Sequence, residues 1–269
     1  MSETPTCELR FESGTLVAAA LPDDPTLKAM FVWDERTRVF RAPAWKYRDV
    51  AMHLHTRKHA WKDAARTFEP LALAIRSPPT PFPYQQEALT KWLAAGKRGT
   101  VVLPTGAGKT VFALMAIAEA KRPTLVVVPT IPLMHQWREN LAKAFDVPVG
   151  MVGGGESDRQ PITVTTYSSA TQHIEFNGHR FGMLVFDEAH HLPSESHRFI
   201  AEGAIAPFRL AVTATLERTD GGEKLVEQLV GQVVHRVEID ALEGRFLAPY
   251  DHVQVDVELT EDELARYTE

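Results

Sequence analysis

The 269 residues carry 44% hydrophobic and 24% charged side chains, which supports a packed core of one large or two smaller domains and excludes global disorder. Cys7 is the single cysteine, so a disulfide framework is excluded and a reducing compartment is favoured. The formal charge of -6 gives no overall attraction to nucleic acid, residues 1–6 lack a signal-peptide core and no apolar run reaches membrane-spanning length, so a cytoplasmic protein with no membrane partner is expected.

In chain order, residues 7–21 and 29–41 alternate apolar and polar positions and carry β-formers, with turns at residues 22–25 and 34–37. Residues 48–65 read as one or two helices. These elements predict a small α+β domain over residues 1–72. Its charge is uneven. Between Arg36 and Arg66, nine Lys/Arg stand against two acids, Asp49 and Asp63, interleaved with Phe40, Trp45, Tyr47 and Trp61. Cations beside stackable rings can hold a nucleic-acid backbone and unstacked bases; the same rings equally suit a core. His53, His55 and His59 do not share a helix face at i, i+2 spacing, so no metal set is expected there.

Residues 73–82, with Pro78, Pro79 and Pro81, read as a stiff linker. Over residues 83–247 apolar strands alternate with amphipathic helices, the pattern of a parallel sheet with crossover helices. Residues 99–103 form a short buried strand, followed by Pro104-Thr105-Gly106-Ala107-Gly108-Lys109-Thr110 and then a helix. Gly106 and Gly108 let backbone N–H groups converge on phosphate oxygens, and the helix N-terminus adds partial positive charge. Thr105 and Ala107 complete the loop, Lys109 would reach the β- and γ-phosphates, and the Thr110 hydroxyl would hold Mg²⁺. Leu103 stands where the general pattern has its first glycine. Gly153, Gly154 and Gly155 form a turn and not a second phosphate site, since neither a helix nor a lysine follows.

Met183, Leu184, Val185 and Phe186 form a continuous apolar run, as in a strand covered on both faces. Asp187 and Glu188 end it, where open α/β sheets place their ligands. Asp187 would position Mg²⁺ through water. Glu188 would polarise the attacking water as general base. Lys109 and Glu188 are therefore the expected catalytic residues. An acidic helix N-cap is the competing reading, weakened by the phosphate loop upstream. His190 is read as coupled to the nucleotide state and His191 as a loop histidine; no third ligand is spaced for zinc.

Further segments fall into order around these two motifs: Phe82-Pro83-Tyr84-Gln85-Gln86 upstream, residues 129–137 and 163–170 between them, and Thr213-Ala214-Thr215 downstream. This ordered set resembles the first RecA-like motor lobe of superfamily 2 helicases, over residues 81–215. The resemblance implies a RecA-like P-loop sheet with ATP and Mg²⁺ as cofactors. It implies that Gln85 reads adenine through its amide. It also implies that residues 129–137, including Gln136, and residues 165–167, including Thr166, touch the phosphates of a DNA strand, and that Thr213 and Thr215 couple the ATP site to those contacts. Trp137 is equally suited to filling the core, and both threonines to ending a strand.

A narrower resemblance is carried by Phe31-Val32-Trp33-Asp34-Glu35-Arg36, Phe40-Arg41-Ala42-Pro43 and Lys46-Tyr47-Arg48-Asp49. These are similar to the damage-recognition domain of the XPB family of 3′→5′ DNA-repair and transcription helicases. Residues 247–260 look like that family's connector into its second lobe. Arg218-Thr219-Asp220 sits where the family carries Arg-Glu-Asp, so Arg218 and Asp220 are implied in DNA contact or coupling while Thr219 replaces the middle acid. Phe82 replaces the arginine expected before Pro-Tyr-Gln.

Thr260 and Glu263 form a capping box for a helix of about two turns. Residues 248–269 are thus expected to lead toward a second lobe, the chain being the N-terminal half of a two-lobed motor that turns over slowly alone and does not unwind DNA. The expected function is an ATP-dependent DNA helicase or translocase of repair. DNA at a single-strand/double-strand junction is the expected partner, with a nuclease or repair factor implied by the resemblance. A restriction- or phage-type translocase, or an ATP-gated DNA-binding module, stays open as an alternative; intact Lys109, Asp187 and Glu188 weigh against the last.

Overall fold

The computed structural model describes residues 7–78, 80–216 and 221–242. Arg218, Asp220, the connector at 247–260 and the capping box at 260–263 lie outside the described residues.

A small mixed sheet comes first. β1 (Cys7–Glu12) and β2 (Thr15–Ala18) form a hairpin. Its turn is Ser13-Gly14, at φ 47° and 72°, the backbone twist that matches paired strands. The alternation over residues 7–21 hid this turn, although Ser-Gly is a turn signal. Residues 22–25 lead into a short helix, α1 (Pro25–Lys28), capped by Asp24, whose Oδ1 accepts from Leu27 N at 3.0 Å. β3 (Val32–Asp34) and β4 (Val39–Pro43) pair across the expected turn, which Asp34 holds by accepting from the Arg36 and Thr37 amides and from the Thr37 hydroxyl. α2 (Tyr47–Thr56) follows, and then a strand, β5 (Trp61–Ala64), parallel to β1. Residues 48–65 are therefore not all helical. Trp61 and Asp63 are half-buried while Lys62 and Ala64 are exposed, a period of two that suits a sheet edge. The strand order is β3-β4-β2-β1-β5.

The larger sheet is built from α3 (Pro83–Ala94), β6 (Arg98–Val102), α4 (Lys109–Ala120), β7 (Thr124–Val128), α5 (Ile131–Ala144), β8 (Val149–Gly153), β9 (Glu156–Ser157), β10 (Ile162–Thr166), α6 (Tyr167–Asn177), β11 (Met183–Asp187), α7 (Arg198–Glu202), β12 (Phe208–Thr213), α8 (Gly222–Leu229) and β13 (Val233–Arg236). Its order is β13-β6-β12-β11-β7-β10-β8-β9, parallel except for the β8–β9 pair at one edge. Every residue of β7, β10 and β11 is buried, as covering both faces with helices requires. One core packs α3, α4 and α5 against the sheet; the other packs α6, α7 and α8.

Arg209 on β12 is wholly buried. Its guanidinium donates to the carbonyls of Ala204 (2.7 Å), Leu229 (2.7 Å) and Ala206 (3.0 Å), which satisfies three backbone carbonyls and pairs the buried charge with acceptors. Desolvation pulls its pKa well below the ordinary guanidinium value.

The two sheets are docked on each other. Ile205 enters the small sheet's core and Trp45 packs on the large sheet's core. Arg48 Nη1 donates to Gly96 O at 2.9 Å and reaches Pro207 O at 3.5 Å. Gly14 N donates to Glu175 O and Thr67 N to His179 O. The chain then runs along the large unit, with Leu71 N on Lys121 O and Arg76 N on Ala144 O.

Candidate nucleotide site

β6, β12 and β11 are neighbours, and the register pairs Val102 with Thr213 and Val212 with Asp187. Their C-terminal ends therefore share one edge. With strands about 4.8 Å apart, the loop after β6 and the acids ending β11 lie roughly 10 Å apart, with Thr213 between them.

Leu103 N donates to Thr213 O at 3.0 Å and its side chain is fully buried. The position that is glycine in the general motif is here a ladder residue with a core side chain. Thr105 and Gly106 are exposed, and Gly106 (φ 82°) and Gly108 (φ 75°) supply the left-handed turns that bring the chain to Lys109 and Thr110, the start of α4. Ala107 is buried and its carbonyl accepts from Tyr84 Oη (3.0 Å) and Gln85 Nε2 (3.2 Å). Gln85 also donates to Gly108 O at 3.3 Å and accepts from Phe82 N at 2.9 Å. At 2% exposure, the amide that the sequence resemblance directs at a base here braces the phosphate loop from behind. Gly108 is suited to its left-handed φ, and a Cβ there would also meet Gln85 Nε2 at 2.5 Å and displace that amide from the loop.

Asp187 is 7% exposed. Its Oδ2 accepts from Trp137 Nε1 at 2.8 Å and its Oδ1 from Glu188 N at 3.0 Å, while Tyr167 Oη donates to its carbonyl at 3.1 Å. Burial raises the Asp187 pKa against the opposing bond from Trp137. Glu188 is left-handed (φ 48°) and turns the chain sharply out of β11. Its Oε1 is 3.4 Å from Lys109 Nζ, and its Oε2 is 3.5 Å from His190 Nδ1 and 3.4 Å from Thr213 Oγ1. The Thr213 hydroxyl donates to Thr215 O at 2.6 Å and sits 3.3 Å from His190 Nδ1. Lys109, Glu188, His190 and Thr213 thus form one connected group.

The remaining expected residues divide. Thr215 and Gln136 are exposed. Thr166 is buried and caps α6, accepting from Ser169 N at 3.3 Å. Trp137 and Tyr167, expected within segments touching a DNA strand, turn inward and hold Asp187. Thr165 is buried too, its hydroxyl on Val152 O at 2.7 Å. For Trp137 the signal was present: Met134, Trp137 and Leu141 recur at three and four residues, the apolar stripe of α5.

Thr110 and Asp187 offer only oxygen donors, the set a hard divalent cation such as Mg²⁺ takes. A carboxylate whose burial disfavours its own charge also fits a cation-binding role. In the small sheet the basic run is partly engaged internally: Arg41 pairs with Glu12 and Asp34, Lys62 with Glu8 and Arg66 with Asp63. Tyr47 belongs to the core, donating to Asp63 Oδ2 at 2.6 Å. Among the described residues, no helix is long and apolar enough to cross a membrane.

Two family models match, one described as Type III restriction enzyme, res subunit, over residues 79–218, and one as the Xeroderma pigmentosum group B helicase damage recognition domain, over residues 9–65. The "DNA 3'-5' translocase XPB2" of Sulfurisphaera tokodaii is 40% identical over 259 residues, covering 96% of this chain and 57% of that protein. The "DNA 3'-5' helicase XPB" of Kineococcus radiotolerans is 35% identical over 197 residues, covering 69% of this chain and 35% of that protein. The chain spans between about a third and just over half the length of these relatives. Among solved structures, the UvsW protein of bacteriophage T4 has the same fold, with a TM-score of 0.52 at 17% identity, over 87% of this chain and 57% of that one. The larger sheet is a RecA-like P-loop fold. With the restriction-enzyme-type model on the large sheet and the damage-recognition model on the small one, the chain belongs to the XPB family of DEAH-type superfamily 2 helicases.

Proposed function

We propose that this chain supplies the ATP-binding lobe and damage-recognition unit of a 3′→5′ DNA helicase or translocase that works in repair. The observation that carries this reading is the connected group Lys109–Glu188–His190–Thr213 beside the buried Asp187. Backbone N–H groups of Thr105, Gly106, Ala107 and Gly108 cradle the phosphates of ATP, aided by the α4 N-terminus. Lys109 takes the β- and γ-phosphates, and Thr110 with Asp187 holds Mg²⁺. The bound Mg²⁺ supplies charge neutralisation at the phosphates. When Lys109 turns to phosphate it leaves Glu188, whose carboxylate is then available to polarise the attacking water. His190 and Thr213 feel that change directly and pass it to Thr215 and onward to the strand contacts, with Gln136 and Thr166 on the DNA side and Arg218 and Asp220 as further coupling residues. Adenine recognition by Gln85 would require it to exchange its present bonds to the loop.

The damage-recognition match on residues 9–65 favours this reading over a restriction-type translocase. We assign residues 1–72 to the recognition unit, 73–82 to a linker, 83–247 to the motor lobe and 248–269 to a connector. DNA at a single-strand/double-strand junction is the proposed substrate, with a nuclease or repair factor as partner. The lone cysteine fits a reducing cytoplasm. Transfer of the γ-phosphate generally needs an arginine finger worth about 10³–10⁵ in rate, which we assign to the part of the relatives this chain does not span.

The test is ATP turnover with and without forked DNA, on this chain and on a longer form matching the relatives' length, with Glu188→Gln as control. Turnover confined to the longer form and abolished by Glu188→Gln supports the proposal. If neither form turns over ATP while both bind DNA, the protein is an ATP-gated binding module instead.

A further inference from the structure

Outside the nucleotide site, the small sheet gathers three side chains that the sequence spacing kept apart. His53 and His59 are six residues apart, and only His53 lies on α2. The chain reverses at Lys58, a lysine at φ 56°, with Lys58 N on His55 O and His59 N on Leu54 O, each at 3.0 Å. Lysine rarely adopts that left-handed conformation, and here it folds His59 back over the end of the helix. Asp24 arrives from the other side as the cap of α1. Its Oδ2 lies 2.8 Å from His53 Nε2 and 3.2 Å from His59 Nε2, and the three atoms all fall within 4.8 Å of one another.

We propose that Asp24, His53 and His59 form a binding site for a divalent transition-metal ion of the zinc class. Metal–nitrogen and metal–oxygen distances near 2.0–2.1 Å place the ligand atoms of a tetrahedral shell about 3.3 Å apart. The Asp24–His59 distance of 3.2 Å is already close to that edge, and the Asp24–His53 distance of 2.8 Å would have to open by about 0.5 Å to reach it. Two imidazoles and one carboxylate form a borderline donor set suited to zinc, with the fourth position left for water. Asp24 Oδ1 is held by the Leu27 amide, which aims Oδ2 as a single ligand in the way hydrogen bonds outside a metal shell orient its carboxylates. His53 sits in the last turn of α2, where the helix dipole favours positive charge. Side-chain exposures of 13%, 15% and 26% for Asp24, His53 and His59 shelter the site and leave it an open side. The ion would join the start of α1, the end of α2 and the approach to β5. His55, between the two ligands in sequence, is exposed.

The test uses the 269-residue chain after chelator treatment. Zn²⁺ is titrated at neutral pH against a competing chromogenic chelator, and Co²⁺ is added separately to read the visible bands of a tetrahedral site. One tight equivalent is expected, with a Zn²⁺-dependent rise in thermal midpoint. His53→Gln and His59→Gln should each weaken binding at least about tenfold, while His55→Gln should leave it unchanged. Circular dichroism of each variant without metal separates a lost ligand from a lost fold, and His59→Gln is the safer of the two because its side chain leaves α2 intact. No tight equivalent in the unsubstituted chain, or equal affinity in His53→Gln and His59→Gln, would overturn the proposal and leave a hydrogen-bonded clasp only.

Discussion

The two sheets use charged residues differently. In the larger sheet, parallel strands end along one edge, so Lys109, Asp187, Glu188 and Thr213, far apart in the chain, meet at one place. Beside them, the buried donors Trp137 and Tyr167 hold Asp187 in position. In the smaller mixed sheet, Asp34 ties a turn, Arg41 bridges two acids, and Arg48 anchors the unit to its neighbour. Charge at the parallel edge gathers residues from distant parts of the chain at the ends of adjacent strands, whereas much of the charge in the small sheet maintains the fold. A basic count along the sequence therefore overstates what the small sheet can offer to DNA.

The sharpest break in this comparison would come from Glu188. Glu188→Gln should lower ATP turnover of the longer form by about 10²–10⁴-fold and leave the thermal midpoint of this chain nearly unchanged; turnover kinetics and calorimetry check it. A variant that loses stability and keeps activity would put Glu188 among the fold-maintaining charges. Next, Trp137→Phe removes the donor to Asp187 Oδ2. A cost of about 1–3 kcal/mol in denaturant unfolding is expected, since a buried carboxylate oxygen loses its partner, together with weaker Mg²⁺–nucleotide binding by titration.

Arg48→Met tests the other region. Loss of the bonds to Gly96 O and Pro207 O should cost about 1–3 kcal/mol and separate the unfolding of the small sheet from that of the large one. One unchanged cooperative transition would show that Trp45 and Ile205 alone hold the two units together.

The smallest effect concerns acid stability. The Thr37 hydroxyl, followed by the Arg41 guanidinium, holds the Asp34 carboxyl down to about 2. A folded-state pKa below the unfolded value gives stabilisation that is complete above the unfolded pKa and is lost as pH falls through the folded one. The unsubstituted chain should therefore exceed Asp34→Asn in thermal midpoint at neutral pH. The gap should close between about pH 4 and the folded value of about 2. A gap independent of pH would mean that the Asp34→Asn substitution disturbs the turn by shape and not by charge.

Much of the larger sheet was legible in the sequence because its signals are local. A continuous apolar run marks a strand covered on both faces, Gly106 and Gly108 mark a left-handed loop, and a carboxylate pair marks a strand end. The damage-recognition resemblance was also legible from short segments. The errors came where a residue's neighbours are distant in the chain. Residues 61–64 read as helix because nothing local announces the parallel pairing with β1. Likewise, nothing local announces that His53 and His59 both reach Asp24, because α2 ends between the two histidines and the chain folds back.

The order of motifs, the carboxylate pair that ends β11 and the glycine-containing loop after β6 were determined by sequence alone, since each depends on residue type and on spacing within a few positions. Tertiary structure decided that Gln85 braces the loop, that Trp137 and Tyr167 face the acid, and that Asp24 meets two histidines. Backbone geometry sets which way a side chain leaves its own strand or helix, but what it meets there depends on which other element packs against that face, and that choice is made by burial across the whole chain.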